Sequence, residues 1–149
     1  MKKTITALLL ASVAGFAFAQ AAAPSPVGLW KTIDDETKQE KSLVRITETG
    51  GVLTGKIEKL LNPSQPDPKC DKCADERKDK PIAGLTIIRN VKKDDDKADL
   101  WDGGDILDPN NGKVYKVRLK PEDGGKKLSV RGYIGMPMLG RSQTWIRVE

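Results

Sequence analysis

From residue 27 onward the chain alternates apolar and polar positions in short runs broken by turn-forming clusters. Leu53, Gly55 and Ile57 alternate with Thr54, Lys56 and Glu58, and Tyr115, Val117 and Leu119 with Lys116, Arg118 and Lys120. A period of two places successive side chains on opposite faces of a strand, so these runs predict strands with one buried and one wet face. Eight segments qualify: 27–33, 42–48, 52–61, 82–91, 98–107, 113–120, 127–135 and 142–148. Breakers separate them at Gly50-Gly51, at Asp108-Pro109-Asn110-Asn111-Gly112 and at Gly124-Gly125. Connections this short force antiparallel neighbours, because parallel strands need a crossover of about a dozen residues. Residues 32–41, polar and charged, predict a loop or a short helical turn, and no long amphipathic helix is evident. The pattern predicts an all-β fold, an antiparallel eight-stranded up-and-down barrel, with a β-sandwich as the alternative. The barrel is preferred because the connections are hairpin-length with no Greek-key crossover. Eight strands close around packed side chains or one small ligand.

The long exception is 62–81, which carries Pro63, Pro66, Pro68, Cys70 and Cys73. Connections of this length are usually functional or disordered. At the other extreme, residues 1–19 have the layout of a cleavable signal peptide: Lys2 and Lys3, an apolar run, and Ala17-Phe18-Ala19 before Gln20. The run is shorter than the ~20 residues a membrane-spanning helix needs. The organisation that follows is a signal peptide over 1–19, a flexible linker over 20–26 and a single barrel domain over 27–149. The expected location is the periplasm, with secretion as the alternative. Loss of Lys2 and Lys3 lowers the formal charge from +5 to +3. Basic residues are interleaved with acidic ones, as in Lys92-Lys93-Asp94-Asp95-Asp96-Lys97, so nucleic acid is not an expected partner.

In an oxidising compartment Cys70-Asp-Lys-Cys73 reads first as a structural disulfide. A thiol-redox pair is a lower-ranked alternative, since such motifs sit at a helix N-terminus in an α/β fold. Metal is not expected, because two thiolates supply half a tetrahedral site and the chain contains no His. The missing His also removes the commonest general base. Asp102, Asp105 and Asp108 could serve glycoside chemistry, but their setting is that of a hairpin turn. No catalytic residue and no cofactor is assigned. The cations and aromatics are more informative. Arg45, Arg131, Arg141 and Arg147 fall in or beside strand segments; Arg131 shares a face with Tyr133, and Trp145 with Arg147. An Arg stacked on Trp30 would close one end of a barrel by cation–π contact, and another could meet an anionic group inside it. The connection Gly135-Met-Pro-Met-Leu-Gly140 is apolar for a hairpin and suits core insertion, a ligand portal, or contact with a membrane or partner.

Gly28-x-Trp30 resembles the lipocalin signature, in which the Trp caps the barrel floor under an Arg from the last strand. That resemblance implies Arg147 or Arg141 as the partner of Trp30. More of the chain resembles a family of small exported bacterial proteins known as domain of unknown function 2147. The matching residues are Gly28-Leu-Trp30-Lys-Thr with Asp34 and Asp35, Gly55-Lys-Ile57, Cys70-x-x-Cys73, Lys80-Pro81-Ile82-x-Gly84, Trp101 with Gly104, and Ile106-Leu-Asp-Pro109. The run from Arg131-Gly-Tyr133 through Gly140-Arg141 to Thr144-Trp145-x-Arg147 completes them. This resemblance implies a lipocalin-like barrel and export, and no activity. The leading expectation is a barrel that binds a small apolar or amphipathic, including anionic, ligand. Trp30, Arg131, Tyr133 and Arg141 are its candidate ligand-binding residues, and Trp30, Trp145 and Arg147 its candidate closing residues. The alternative is an envelope protein–protein interaction module without a cavity, acting through the Cys70–Cys73 loop and the Met136–Leu139 tip.

Overall fold

The computed structural model describes residues 23–149. Eight antiparallel strands follow one another: β1 (Gly28–Ile33), β2 (Glu40–Thr49), β3 (Val52–Leu60), β4 (Thr86–Lys93), β5 (Trp101–Leu107), β6 (Val114–Glu122), β7 (Lys127–Tyr133) and β8 (Arg141–Arg147). Each pairs with the next, and β8 returns to β1 through Trp30↔Arg147 and Lys31↔Ile146, closing the barrel. The sandwich alternative is thereby set aside. All eight predicted segments are strands, and two begin at least three residues later than their apolar pattern suggests. Strand β4 starts at Thr86 because Gly84 sits at φ +91° and the Ile82 amide donates to the Pro68 carbonyl at 2.9 Å, holding that stretch in the loop. Strand β5 starts at Trp101 because the Asp94 carboxylate accepts from the amides of Asp96 and Lys97, both at 2.8 Å, and stabilises a turn there.

Inward positions fill the closed half of the barrel with Trp30, Val44, Ile46, Leu53, Ile88, Val91, Val117, Leu119 and Leu128, all essentially fully buried. Each such aliphatic side chain contributes about 1.5–3 kcal/mol on burial. The connection between β3 and β4 is ordered by interactions of its own. A Cys70–Cys73 disulfide and a Lys69↔Pro81 bridge close it, and both sulfur-bearing residues join the core. Arg77, only 3% exposed, is neutralised there by Asp75 and donates to the Thr86 carbonyl at 3.0 Å. The disulfide loop packs against the turn before β6. A Cβ on Gly112, whose φ is +74°, would overlap the Lys72 carbonyl, so only glycine fits there.

The signal peptide read over 1–19 lies outside the described residues. Of the linker read over 20–26, the last two residues are fixed. Pro26 is fully buried and its carbonyl accepts from the Trp30 indole at 2.7 Å, while the Ser25 carbonyl accepts from Arg147 at 2.6 Å. Among the described residues, no helix is long and apolar enough to cross a membrane.

Candidate binding cavity

Four side chains on one face of β8 run from the closed end of the barrel to its mouth. Arg147 lies at the bottom, its guanidinium 4.2 Å from the centre of the Trp30 ring. Its three nitrogens also donate to backbone carbonyls: Gly125 at 2.5 Å, Val27 at 2.8 Å and Ser25 at 2.6 Å. Burial lowers its pKa, yet an arginine stays charged at neutral pH. Gly28 makes this stack fit, because a Cβ there would collide with the Arg147 guanidinium and the Glu149 carbonyl. One end of the barrel is therefore plugged by Trp30 beneath Arg147.

Two residues along, Trp145 is 2% exposed and its indole donates to the Gln143 side-chain oxygen at 3.2 Å. Trp145 and Gln143 line a cavity of about 580 Å³ that opens at the opposite end. Apolar walls come from Ile57, Ile87, Ile106, Leu107 and Val130. Thr32 and Ser42, both buried, line its lower wall and hydrogen-bond to each other at 2.8 Å, so neither hydroxyl is left unpaired. The rim is charged. Arg141 reaches across to Asp35 at 2.5 Å and Glu36 at 3.0 Å, which raises its pKa. The Thr37 amide and hydroxyl, with the Glu36 amide, hold the Asp34 carboxyl below the ordinary carboxylate range. Lys41 and Asp108 complete the charged lining.

Of the candidate ligand-binding residues, only Arg141 lines this cavity. Trp30 is buried in the plug. Arg131 lies on the outer face of β7, where it donates to the carbonyls of Pro137 at 2.6 Å and Met138 at 3.2 Å and to the Ser142 hydroxyl at 2.8 Å. Tyr133 is on the same outer face, its ring 5.9 Å from the Arg118 guanidinium. The parity of β7 carries the reason: Leu128 and Val130 are buried, so Arg131 and Tyr133 point away from the interior. Of the three closing residues, Trp30 and Arg147 form the plug, while Trp145 belongs to the cavity. Ile57, Ile106, Tyr115 and Gln143, which also line it, went unassigned from sequence, although the phase set by Leu53 and Ile57 marks the inward row of β3. Neither Cys70 nor Cys73 sits at a helix N-terminus, the setting that lowers thiol pKa in redox pairs.

A small up-and-down barrel, plugged at one end by a Trp–Arg stack and open at the other into an apolar cavity, is a lipocalin-like architecture. A solved protein from the human pathogen Helicobacter pylori, described as belonging to the lipocalin family, shares the barrel fold. The TM-score is 0.72 at 19% identity, over 85% of this chain and 84% of that one. At that identity the likeness establishes the fold. No curated protein matches the sequence. The chain belongs to the bacterial family described as an uncharacterized protein conserved in bacteria, domain of unknown function 2147, which matches residues 28–147.

Proposed function

We propose that this protein is an exported carrier of a small amphipathic molecule, held with its apolar part against Trp145 and its polar group at the rim. The observation that carries this reading is the cavity. Its volume of about 580 Å³ lies within the ~300–1,000 Å³ usual for small-molecule sites. Apolar walls and a few convergent polar groups are what such sites offer. Within the expected range of apolar or amphipathic ligands, an anionic head group is matched less well than a neutral or amino one. Asp34, Asp35, Glu36 and Asp108 outnumber Lys41 and Arg141 in the lining, and Arg141 is already engaged by two carboxylates. The reading over 1–19 and the Cys70–Cys73 disulfide support export to an oxidising compartment such as the periplasm.

Titration with decylamine and with decanoate at pH 7, followed by tryptophan fluorescence, tests the binding. Decylamine is expected to bind at least tenfold more tightly, Trp145→Phe to remove most of the signal, and Val130→Trp to abolish binding by filling the cavity. Absence of binding by either amphiphile, or binding unchanged by Val130→Trp, overturns the proposal. Native mass spectrometry of protein isolated from its own cells is expected to show a chain beginning at Gln20 together with a copurifying small molecule.

A further inference from the structure

Two side chains lining the cavity have their acceptor side occupied and their hydrogens free. On β8, the Gln143 side-chain oxygen accepts from the Trp145 indole at 3.2 Å. An indole nitrogen can only donate, so this bond fixes the amide: its oxygen is turned to Trp145 and its NH2 group away from it. Gln143 shares the inward face of β8 with Trp145 and lines the cavity, so that NH2 group is offered to whatever fills it. On β6, Tyr115 repeats the arrangement through Asn111. The Lys113 amide donates to the Asn111 side-chain oxygen at 2.8 Å, which turns the Asn111 NH2 group to the Tyr115 hydroxyl oxygen at 3.1 Å. The phenolic proton is then left to donate. Among the described residues, neither donor meets a protein acceptor. Tyr115 packs over Gly132, its Cβ 3.5 Å from where a Cβ on that glycine would stand, and Gly132 and Val130 pair with Arg141 and Gln143. The two donors therefore occupy neighbouring walls, next to the acidic rim.

We propose that Gln143, assisted by Tyr115, selects cargo that carries an amide or ester carbonyl a short spacer below its head group. A carbonyl oxygen only accepts, so it complements two groups whose acceptor sides are already taken. The spacer follows from strand geometry: Gln143 lies two residues below Arg141, about 7 Å along the strand. A plain alkyl chain that displaces water from this level leaves both donors without partners, which costs affinity, whereas a carbonyl at that depth satisfies them. The walls beyond, at Trp145, Ile57 and Val130, are apolar and suit an acyl tail. The proposal rests on the carrier reading and adds the chemistry that joins head group to tail.

Isothermal titration calorimetry at pH 7 tests it with decylamine and N-(3-aminopropyl)hexanamide, which have the same terminal amine and equal chain length and differ in the amide. The parent protein is expected to bind the amide at least as tightly as decylamine, although the amide is the less apolar of the two. Gln143→Met should weaken the amide about fivefold or more relative to decylamine, as expected when a desolvated carbonyl loses its donor, and Tyr115→Phe should have a smaller effect in the same direction. Retained decylamine binding shows that each variant is folded. An amide preference unchanged by Gln143→Met, or equal weakening of both ligands as a merely structural role would give, overturns the proposal. Loss of the preference in Tyr115→Phe alone overturns the assignment to Gln143. If the parent protein binds decylamine and rejects the amide, this proposal falls and the carrier reading stands; if it binds neither, both fall.

Discussion

Replacing Arg147 with Ala should destabilise the barrel by about 3 kcal/mol without altering the cavity. The stack on Trp30 contributes about 0.5–2 kcal/mol. Three charge-assisted bonds to carbonyls are lost, each worth about 1.5–3 kcal/mol when fully buried. Only Gly125 among these acceptors is buried, with Ser25 partly and Val27 more openly exposed, so water can replace much of two of them. The freed Arg rotamers return up to about 2 kcal/mol. What remains is near 3 kcal/mol, a large fraction of a typical domain's stability. Arg147→Lys keeps a cation over the ring and loses the fork, so it should cost roughly half as much. Urea unfolding followed by far-ultraviolet circular dichroism and tryptophan fluorescence measures both, with linear extrapolation to water. Arg147→Ala within about 0.5 kcal/mol of the parent protein, the range of ordinary surface substitutions, would refute the plug as a stabilising device.

Removing the disulfide by Cys70→Ala/Cys73→Ala should cost about 2 kcal/mol by the chain-entropy argument for so short a loop, and reductant should bring the parent protein to the same urea midpoint. The Arg77 guanidinium, hydrogen-bonded to the Asp75 carboxylate, holds the Asp75 pKa at about 2, below its unfolded value of about 3.9. The stability this pair contributes is therefore fully present above pH ~4 and is lost as pH falls toward 2. Asp75→Asn should flatten that part of the stability–pH curve, measured by urea titrations at pH 5, 4 and 3, and lower stability at neutral pH by leaving buried Arg77 without its counter-charge. Gly112→Ala should destabilise by more than about 1 kcal/mol, read as a lowered thermal midpoint, since φ +74° and the Lys72 carbonyl both exclude a Cβ.

The strands were legible because each inward row is apolar and the turns carry Gly, Asn or Asp where the backbone needs them. Gly50-Gly51, both at positive φ, and Asp108, whose carboxylate accepts from the Asn110 amide at 2.9 Å, act where the sequence pattern located turns. Boundaries failed at Ile82 because an apolar residue can pack on the core from a loop as well as from a strand. The plug was legible through Gly28-x-Trp30 and the Arg–Trp ending. The cavity was not, since apolar inward residues line a void and fill a core with the same pattern. Whether Ile57 meets a neighbour or empty space depends on where the barrel stops converging, and no local signal encodes that. Arg131 and Tyr133 attracted attention by residue type, while the buried Leu128 and Val130 beside them already set the phase that turns them outward.

The placement of Arg147, Trp145, Gln143 and Arg141 on one face of β8 separates the plug from the cavity along a single strand. Near the plug, β8 is tied to β1 by the pairs Trp30↔Arg147 and Lys31↔Ile146, with the Leu29 amide donating to the Glu149 carbonyl at 2.8 Å. Toward the mouth that ladder stops, and the connection between the two sides passes to the ion pairs of Arg141 with Asp35 and Glu36. Those pairs are largely exposed, so salt screens them and their side chains hold the rim weakly. Residue 147 therefore belongs to the closed end, where substitutions are expected to act on unfolding, and residue 141 belongs to the rim of the cavity. The same division accounts for the two marked arginines of the last strand: Arg147 completes a buried stack that closes the barrel, and Arg141 stands in solvent at the opening that the stack leaves at the other end.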